Sequence, residues 1–195
     1  MSRDRVAVEQ RKTKETEIIA SVNLDGEGRS DIKTGVGFFD HMLDQIARHG
    51  SIDLELSVKG DLHIDEHHSI EDTGIALGKA FARAVGDKKG IARFSSALVP
   101  LDETLVRAVV DISGRPYLYT DLPFSREMVG EFPSEMVVEF MRAFAFNAGI
   151  TLHLEILHGE NCHHQIEAVF KALARALKDA VKIESDKIPS TKGVL

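Results

Sequence analysis

The sequence predicts an α+β fold made by internal duplication: two similar halves, each a sheet with helices. Three observations carry this. The text "DEHHSIED" at residues 65–72 returns as "NCHHQIEA" at 161–168, and matched residues stand 96 apart (161 − 65, 163 − 67, 167 − 71). Segments of apolar period two and segments of helical spacing follow one another in the same order in both halves. Pro is scarce and scattered, and no low-complexity stretch separates the halves, so they form one compact unit.

In the first half, Ile18, Ala20, Val22 and Leu24 alternate along a strand, and Asp25-Gly26 turns the chain into a second strand, as in a hairpin. "FFDHMLDQIARHG" carries Phe38/Phe39, Met42/Leu43 and Ile46 at helical spacing and ends at Gly50. Leu54, Leu56 and Val58 alternate again. A long helix follows on Ile70, Leu77, Phe81 and Ala84, with Asp65 placed to cap it. The second half repeats the order. "LDETLVRAVVDISGRPYL" is a strand with a turn at Ser113-Gly114, and "SEMVVEFMRAFAFNAG" is a helix ending at Gly149. "ITLHLEILHG" alternates through Leu152, Leu154 and Ile156, and "NCHHQIEAVFKALARALKDAV" is the second long helix. Strand–strand–helix–strand–helix, written twice, predicts halves at 1–92 and 93–195, related by a pseudo-twofold axis, each with helices on one face of its sheet.

A chain of 195 residues with 43% hydrophobic residues can bury a sizeable core. Its net charge of −7 argues against nucleic acid or an anionic membrane as the main partner, while leaving room for a small anion at a local cationic site. A single cysteine fits a reducing compartment. No apolar run approaches a spanning length, and the N-terminal text has no signal-peptide core, so the predicted location is cytoplasmic.

The doubled His-His-x-x-Glu text has metal-ligand spacing. Residues i and i+4 share a helix face, so His67 can act with Glu71 and His163 with Glu167. Adjacent residues diverge by about 100° on a helix, so His68 and His164 must turn to a different ion. His41 and Glu139 hold matching places on the two shorter helices. The expected sets are therefore His41, His68, His163 and Glu167 for one ion, and His67, Glu71, Glu139 and His164 for the other. Mixed imidazole–carboxylate sets suit Mn²⁺, Fe²⁺ or Zn²⁺. Cys162 has Glu66 as its repeat counterpart and reads as a bystander; His153 alternates with apolar strand residues and reads as structural. Arg93, Arg115 and the tail "PSTKGVL", with Ser190 and Lys192 beside Gly193, can wrap a phosphate. Glu15 opens its strand among cations.

With these residues in view, the sequence resembles the imidazoleglycerol-phosphate dehydratase family over essentially its whole length. The resemblance rests on "RKTKETEI", "LDGEG", "TGVGFFDHML", "DEHHSIEDTGIALG", "GIARF", "PLDETL", "DISGRPYL", "NAGITLH", "HGENCHHQIEAVFKALARAL" and "PSTKGVL", in that order. It implies a duplicated fold like the second domain of ribosomal protein S5, two Mn²⁺ per active site, and a homo-oligomeric cage of two dozen chains with sites between neighbours. It implies that the substrate is a phosphorylated imidazole and that the enzyme is monofunctional. His41, His67, His68, Glu71, His163, His164 and Glu167 match the family's metal motif, and these ligands also contact substrate. Glu139 stands where many relatives carry His. Glu15 matches the acid/base carboxylate. Arg93, Arg115, Ser190, Thr191 and Lys192 match the phosphate-binding positions, and His49 falls in a substrate-contacting stretch. A dinuclear hydrolase or a metal store could use the same ligands, but neither explains Glu15 together with the cationic set.

Overall fold

The computed structural model describes residues 5–195. The first half runs β1 (Val6–Lys12), β2 (Thr16–Asn23), β3 (Ser30–Lys33), α1 (Gly37–Gly50), β4 (Asp53–Gly60) and α2 (His67–Val85). The second runs β5 (Phe94–Leu101), β6 (Thr104–Asp111), β7 (Tyr117–Asp121), β8 (Met128–Val129), β9 (Phe132–Pro133), α3 (Glu135–Ala148), β10 (Thr151–His158) and α4 (Cys162–Ala180). The main sheets have the orders β1-β2-β4-β3 and β5-β6-β10-β7, the same topology twice. β8 and β9 add a small hairpin to the second half alone.

Each main sheet buries one face. Ile18, Ala20 and Val22 of β2 and Leu54 and Leu56 of β4 point inward, as do Val106, Ala108 and Val110 of β6 and Leu152 and Leu154 of β10. The helices cover those faces and meet across the halves, α1 on α4 and α2 on α3. An aromatic seam joins them: Phe39 lies edge-on to Phe140 at 5.3 Å, and Phe140 stacks on Phe170 at 5.5 Å.

Two expectations need correction. The turn at Asp25-Gly26 does not make a hairpin of β2 and β3. β2 pairs antiparallel with β1 and β4, and β3 pairs parallel with β4, with α1 as the crossover between them. Asp53 redirects the loop: its carboxylate accepts the N–H groups of Glu27 at 2.8 Å and Arg29 at 2.9 Å. Ser113-Gly114 likewise leads to β7, which pairs parallel with β10. The halves also begin with strands that the alternation does not reveal, β1 and β5. β1 turns Glu9 and Arg11 towards α2, where they pair with Arg83 at 2.6 Å and Asp72 at 2.7 Å, and leaves Val6 and Val8 outside. Its polarity is inverted relative to an apolar-in strand. Among the described residues, no helix is long and apolar enough to cross a membrane.

Candidate metal and anion sites

Both His pairs sit in the first turn of a long helix, and the residue two positions ahead fixes that turn. Asp65 Oδ1 accepts the His67 N–H at 2.9 Å; Asn161 Oδ1 accepts the N–H groups of His163 at 2.9 Å and His164 at 3.3 Å. Because α1 packs on α4, His41 reaches the second pair from the other half. His41 Nε2 lies 3.2 Å and His163 Nε2 3.0 Å from the same oxygen of Glu167. The three ligand atoms lie within 4.8 Å of one another, the one such group of His, Cys, Asp and Glu among the described residues. Two imidazole nitrogens and a carboxylate oxygen at this spacing fit a first-row divalent ion with positions left for substrate.

Lys171 binds the other Glu167 oxygen at 2.5 Å. Burial pulls the Glu167 carboxyl upward, but Lys171, His41 and His163 outweigh it and hold the group below the ordinary carboxylate range. Gln45 donates to the His41 carbonyl at 3.1 Å and lies 3.3 Å from His41 Nδ1. His49, at the end of α1, is lowered by burial and then by the Lys171 charge.

The other predicted ligands lie elsewhere on the chain. His67 Nε2 is 3.7 Å from Glu71 on the next turn of α2. His68 Nδ1 lies 3.0 Å from an Asp61 oxygen, and His164 Nδ1 lies 2.8 Å from Glu103. Glu139, on α3, pairs with Arg142 at 2.5 Å. A single chain thus gathers three members of the first expected set, His41, His163 and Glu167, with His68 outside that group. It does not gather the second set. Cys162 is buried and bonded to the Arg126 carbonyl, and burial pushes its thiol up, as suits a bystander.

The predicted anion residues do meet. Arg93, Arg115, Ser190, Thr191 and Lys192 line one cavity. Arg93 adopts φ +72°, unusual for a residue with a side chain. Asp111 grips its guanidinium through two bonds of 2.7 and 3.2 Å, and its third arm donates to the Pro189 carbonyl at 2.7 Å, tying the tail to the sheet. Glu15 sits at the β1–β2 turn, its N–H donating to Thr13 Oγ1 at 3.0 Å. Among the described residues, its carboxylate makes no hydrogen bond or ion pair.

The sequence does not single out Asp61, Glu103, Asp111 or Lys171. A signal exists for Glu103: "ET" at 15–16 recurs at 103–104 at the same hairpin position. The others act through folding contacts that no local motif marks.

The fold and site define the class: a duplicated α+β protein with a histidine–carboxylate group and a separate two-arginine pocket. The imidazoleglycerol-phosphate dehydratase family model matches residues 34–177. An imidazoleglycerol-phosphate dehydratase from Thermoanaerobacter pseudethanolicus is 60% identical over 193 residues, covering 98% of this chain and 100% of that one. One from Cereibacter sphaeroides is 57% identical over 188 residues, covering 95% and 96%. The crystal structure of the Staphylococcus aureus enzyme superposes with a TM-score of 0.83 at 42% identity, covering 91% of this chain and 99% of that one. The Pyrococcus furiosus enzyme, in complex with (S)-C348, gives 0.83 at 38% identity, covering 95% and 99%. The chain belongs to the imidazoleglycerol-phosphate dehydratase family, and it is a hydro-lyase.

Proposed function

We propose that the protein converts D-erythro-imidazole-glycerol phosphate to imidazole-acetol phosphate in histidine biosynthesis, with Mn²⁺ as cofactor. The observation that carries this reading is the convergence of His41, His163 and Glu167 within 4.8 Å, built from both halves. Its two imidazole nitrogens and one carboxylate oxygen suit Mn²⁺. One ion is assigned to His41, His68, His163 and Glu167, the other to His67, Glu71, Glu139 and His164. His68 stands outside the three-residue group, so a neighbouring copy of the chain is the natural source of a fourth ligand. That requirement supports a homo-oligomer, read as a 24-mer, with sites between chains and a cytoplasmic location.

The reaction takes a hydrogen from one carbon as a proton and a hydroxyl from its neighbour, releasing water. That carbon has no carbonyl beside it to acidify it. Bound divalent ions supply Lewis acidity that stabilises negative charge on the imidazole ring. Arg93, Arg115, Ser190, Thr191 and Lys192 hold the phosphate, fixing the substrate so that the elimination becomes effectively unimolecular. Glu15, whose carboxylate is not committed elsewhere, moves the proton from carbon towards the departing oxygen. The metal ligands and His49 line the substrate's path.

The test is turnover of imidazole-glycerol phosphate by chelator-stripped protein titrated with Mn²⁺. Recovery of activity saturating near two ions per chain is expected. Saturation near one would remove the Glu139 set, and no turnover at any loading would overturn the reading.

A further inference from the structure

The two halves secure their second imidazoles by different means. In the second half the work falls to Glu103, at the tip of the β5–β6 turn. Its Oε2 accepts from His164 Nδ1 at 2.8 Å, while Oε1 accepts the N–H groups of Asn161 at 2.9 Å and Glu160 at 3.2 Å. An ionised carboxylate can only accept, so Nδ1 carries a proton and Nε2 is the ring atom left to face a metal.

Glu15 occupies the same place in the first half. β2 and β6 correspond at an offset of 88, for Thr16, Ala20 and Val22 are buried and so are Thr104, Ala108 and Val110 (104 − 16, 108 − 20, 110 − 22). Glu103 is therefore the twin of Glu15 (103 − 15 = 88). Yet Glu15 does not bind His68. Asp61 does, with both oxygens, at 3.0 and 3.2 Å from Nδ1.

Asp61 has no acidic twin. The offset is 98 across β4 and β10 (154 − 56, both partnered by the buried alanines of β2 and β6) but 96 across α2 and α4 (163 − 67). The loop before the first His pair is two residues longer, and Asp61 lies in it. The position 98 residues on is Gly159. Glu15 meanwhile stays on a braced turn: Thr16 Oγ1 donates to the buried Asp72, and Thr13 Oγ1 lies 3.1 Å from Thr16 Oγ1. Its charge also reaches His68, though Asp61 is the stronger influence holding that imidazole's proton affinity up.

We propose that Asp61 is a positioning residue that holds His68 in place of Glu15, releasing Glu15 from the duty that Glu103 performs in the other half. This rests on the reading of Glu15 as the proton-transfer group and supplies the reason why one of two equivalent glutamates is available for it.

The test is a double-mutant cycle read in Mn²⁺ affinity, using chelator-stripped full-length protein and equilibrium dialysis against Mn²⁺ alone. E15A should bind Mn²⁺ within about 2-fold of the parent, because Asp61 holds His68. D61A should lose less than about 10-fold, because Glu15 can swing onto the freed Nδ1 as Glu103 does on His164. The double variant should lose about 10–100-fold at one class of site, the range for removing the partner of a ligand histidine. D61N keeps an acceptor oxygen and should bind Mn²⁺ like the parent, separating imidazole positioning from loop collapse. Additive effects, with E15A equally silent whether or not Asp61 is present, would overturn the proposal, as would an E15A/D61N variant as weak as E15A/D61A. The readout does not depend on chemistry at Glu15. Full turnover by E15Q would overturn the proton-transfer role and leave the outcome of the Mn²⁺ affinity cycle intact.

Discussion

Asp53 shows how one side chain can choose between two connections. Its carboxylate takes two backbone N–H groups from the loop after β2 and a 3.3 Å bond from the Arg29 guanidinium. A Cβ on Gly26 would fall 2.4 Å from the Asp53 nitrogen, so the "LDGEG" turn can lie against Asp53 only with glycine there. The Arg29 backbone N–H, joined by the Glu27 N–H and the Arg29 charge, outweighs the opposing effect of burial and holds the Asp53 carboxyl below its usual value. The sign of the pH dependence follows. A group whose folded value is depressed contributes stability that is fully present above its unfolded value, about 3.9, and lost as pH falls through the folded one. D53N keeps an acceptor but loses the charge. Its thermal midpoint should lie below the parent's at neutral pH, and the gap should narrow as pH drops below about 4. A gap constant with pH would mean that the carboxylate's charge contributes nothing to this loop. Arg93 illustrates strain at the same scale: a positive φ costs a non-glycine residue about 1–3 kcal/mol, offset here by the Asp111 fork and the Pro189 carbonyl.

Among the elements, α2 and α3 pack with their backbones close together. A Cβ on Gly74 would lie 2.8 Å from the Ala143 Cβ and 2.9 Å from the Phe140 carbonyl oxygen, and one on Gly78 would lie 2.6 Å from the Phe144 carbonyl oxygen. Two glycines one turn apart let the backbones meet where the halves join. G78A should therefore destabilise the protein by about 1–3 kcal/mol despite its better helix propensity, since overpacking outweighs the roughly 1 kcal/mol gained from alanine. Denaturant unfolding would show this, and a stabilised G78A would refute so close a packing. The four helices are legible in the sequence because their apolar spacing reflects burial directly. The same reasoning finds β4 and β10, which alternate cleanly. It misses β1 because that strand docks on α2 through Glu9–Arg83 and Arg11–Asp72, turning charge inward. It misses β5, whose Phe94 and Leu98 are 60% and 62% exposed while Ala97, Val99 and Leu101 pack on the core only partly buried. The β2–β3 hairpin misleads because a turn motif specifies a change of direction, whereas the partner strand is chosen by tertiary contacts such as those of Asp53.

At the scale of the molecule, both sheets present apolar side chains outward, Val6, Val8 and Ile19 on one, Phe94, Leu98, Val109, Tyr117 and Tyr119 on the other. Such outward apolar side chains are what the proposed homo-oligomer would cover. If neighbouring chains complete the metal sets, assembly and metal content are linked, because ligand imidazoles must be neutral to bind. Chelation, or acidification below about pH 6, should then lower both turnover and the mass seen by light scattering. A mass unchanged after complete metal removal would uncouple the two. Part of the candidate site can be read from the chain: the His-His-x-x-Glu text marks His163 and Glu167 of the clustered group, and the tail marks residues that line the arginine cavity. Asp61 and Lys171 cannot, because each acts only through a neighbour that the fold supplies. The pairing of helices across the halves has a historical consequence. His41 belongs to one repeat, while His163 and Glu167 belong to the other, so neither repeat alone owns this centre. A half-length ancestor could have assembled such a centre only by clasping a second copy of itself. Fusion of two such copies would make that embrace permanent and let the twins Glu15 and Glu103 diverge, as Glu103 alone now bonds the second imidazole of its half.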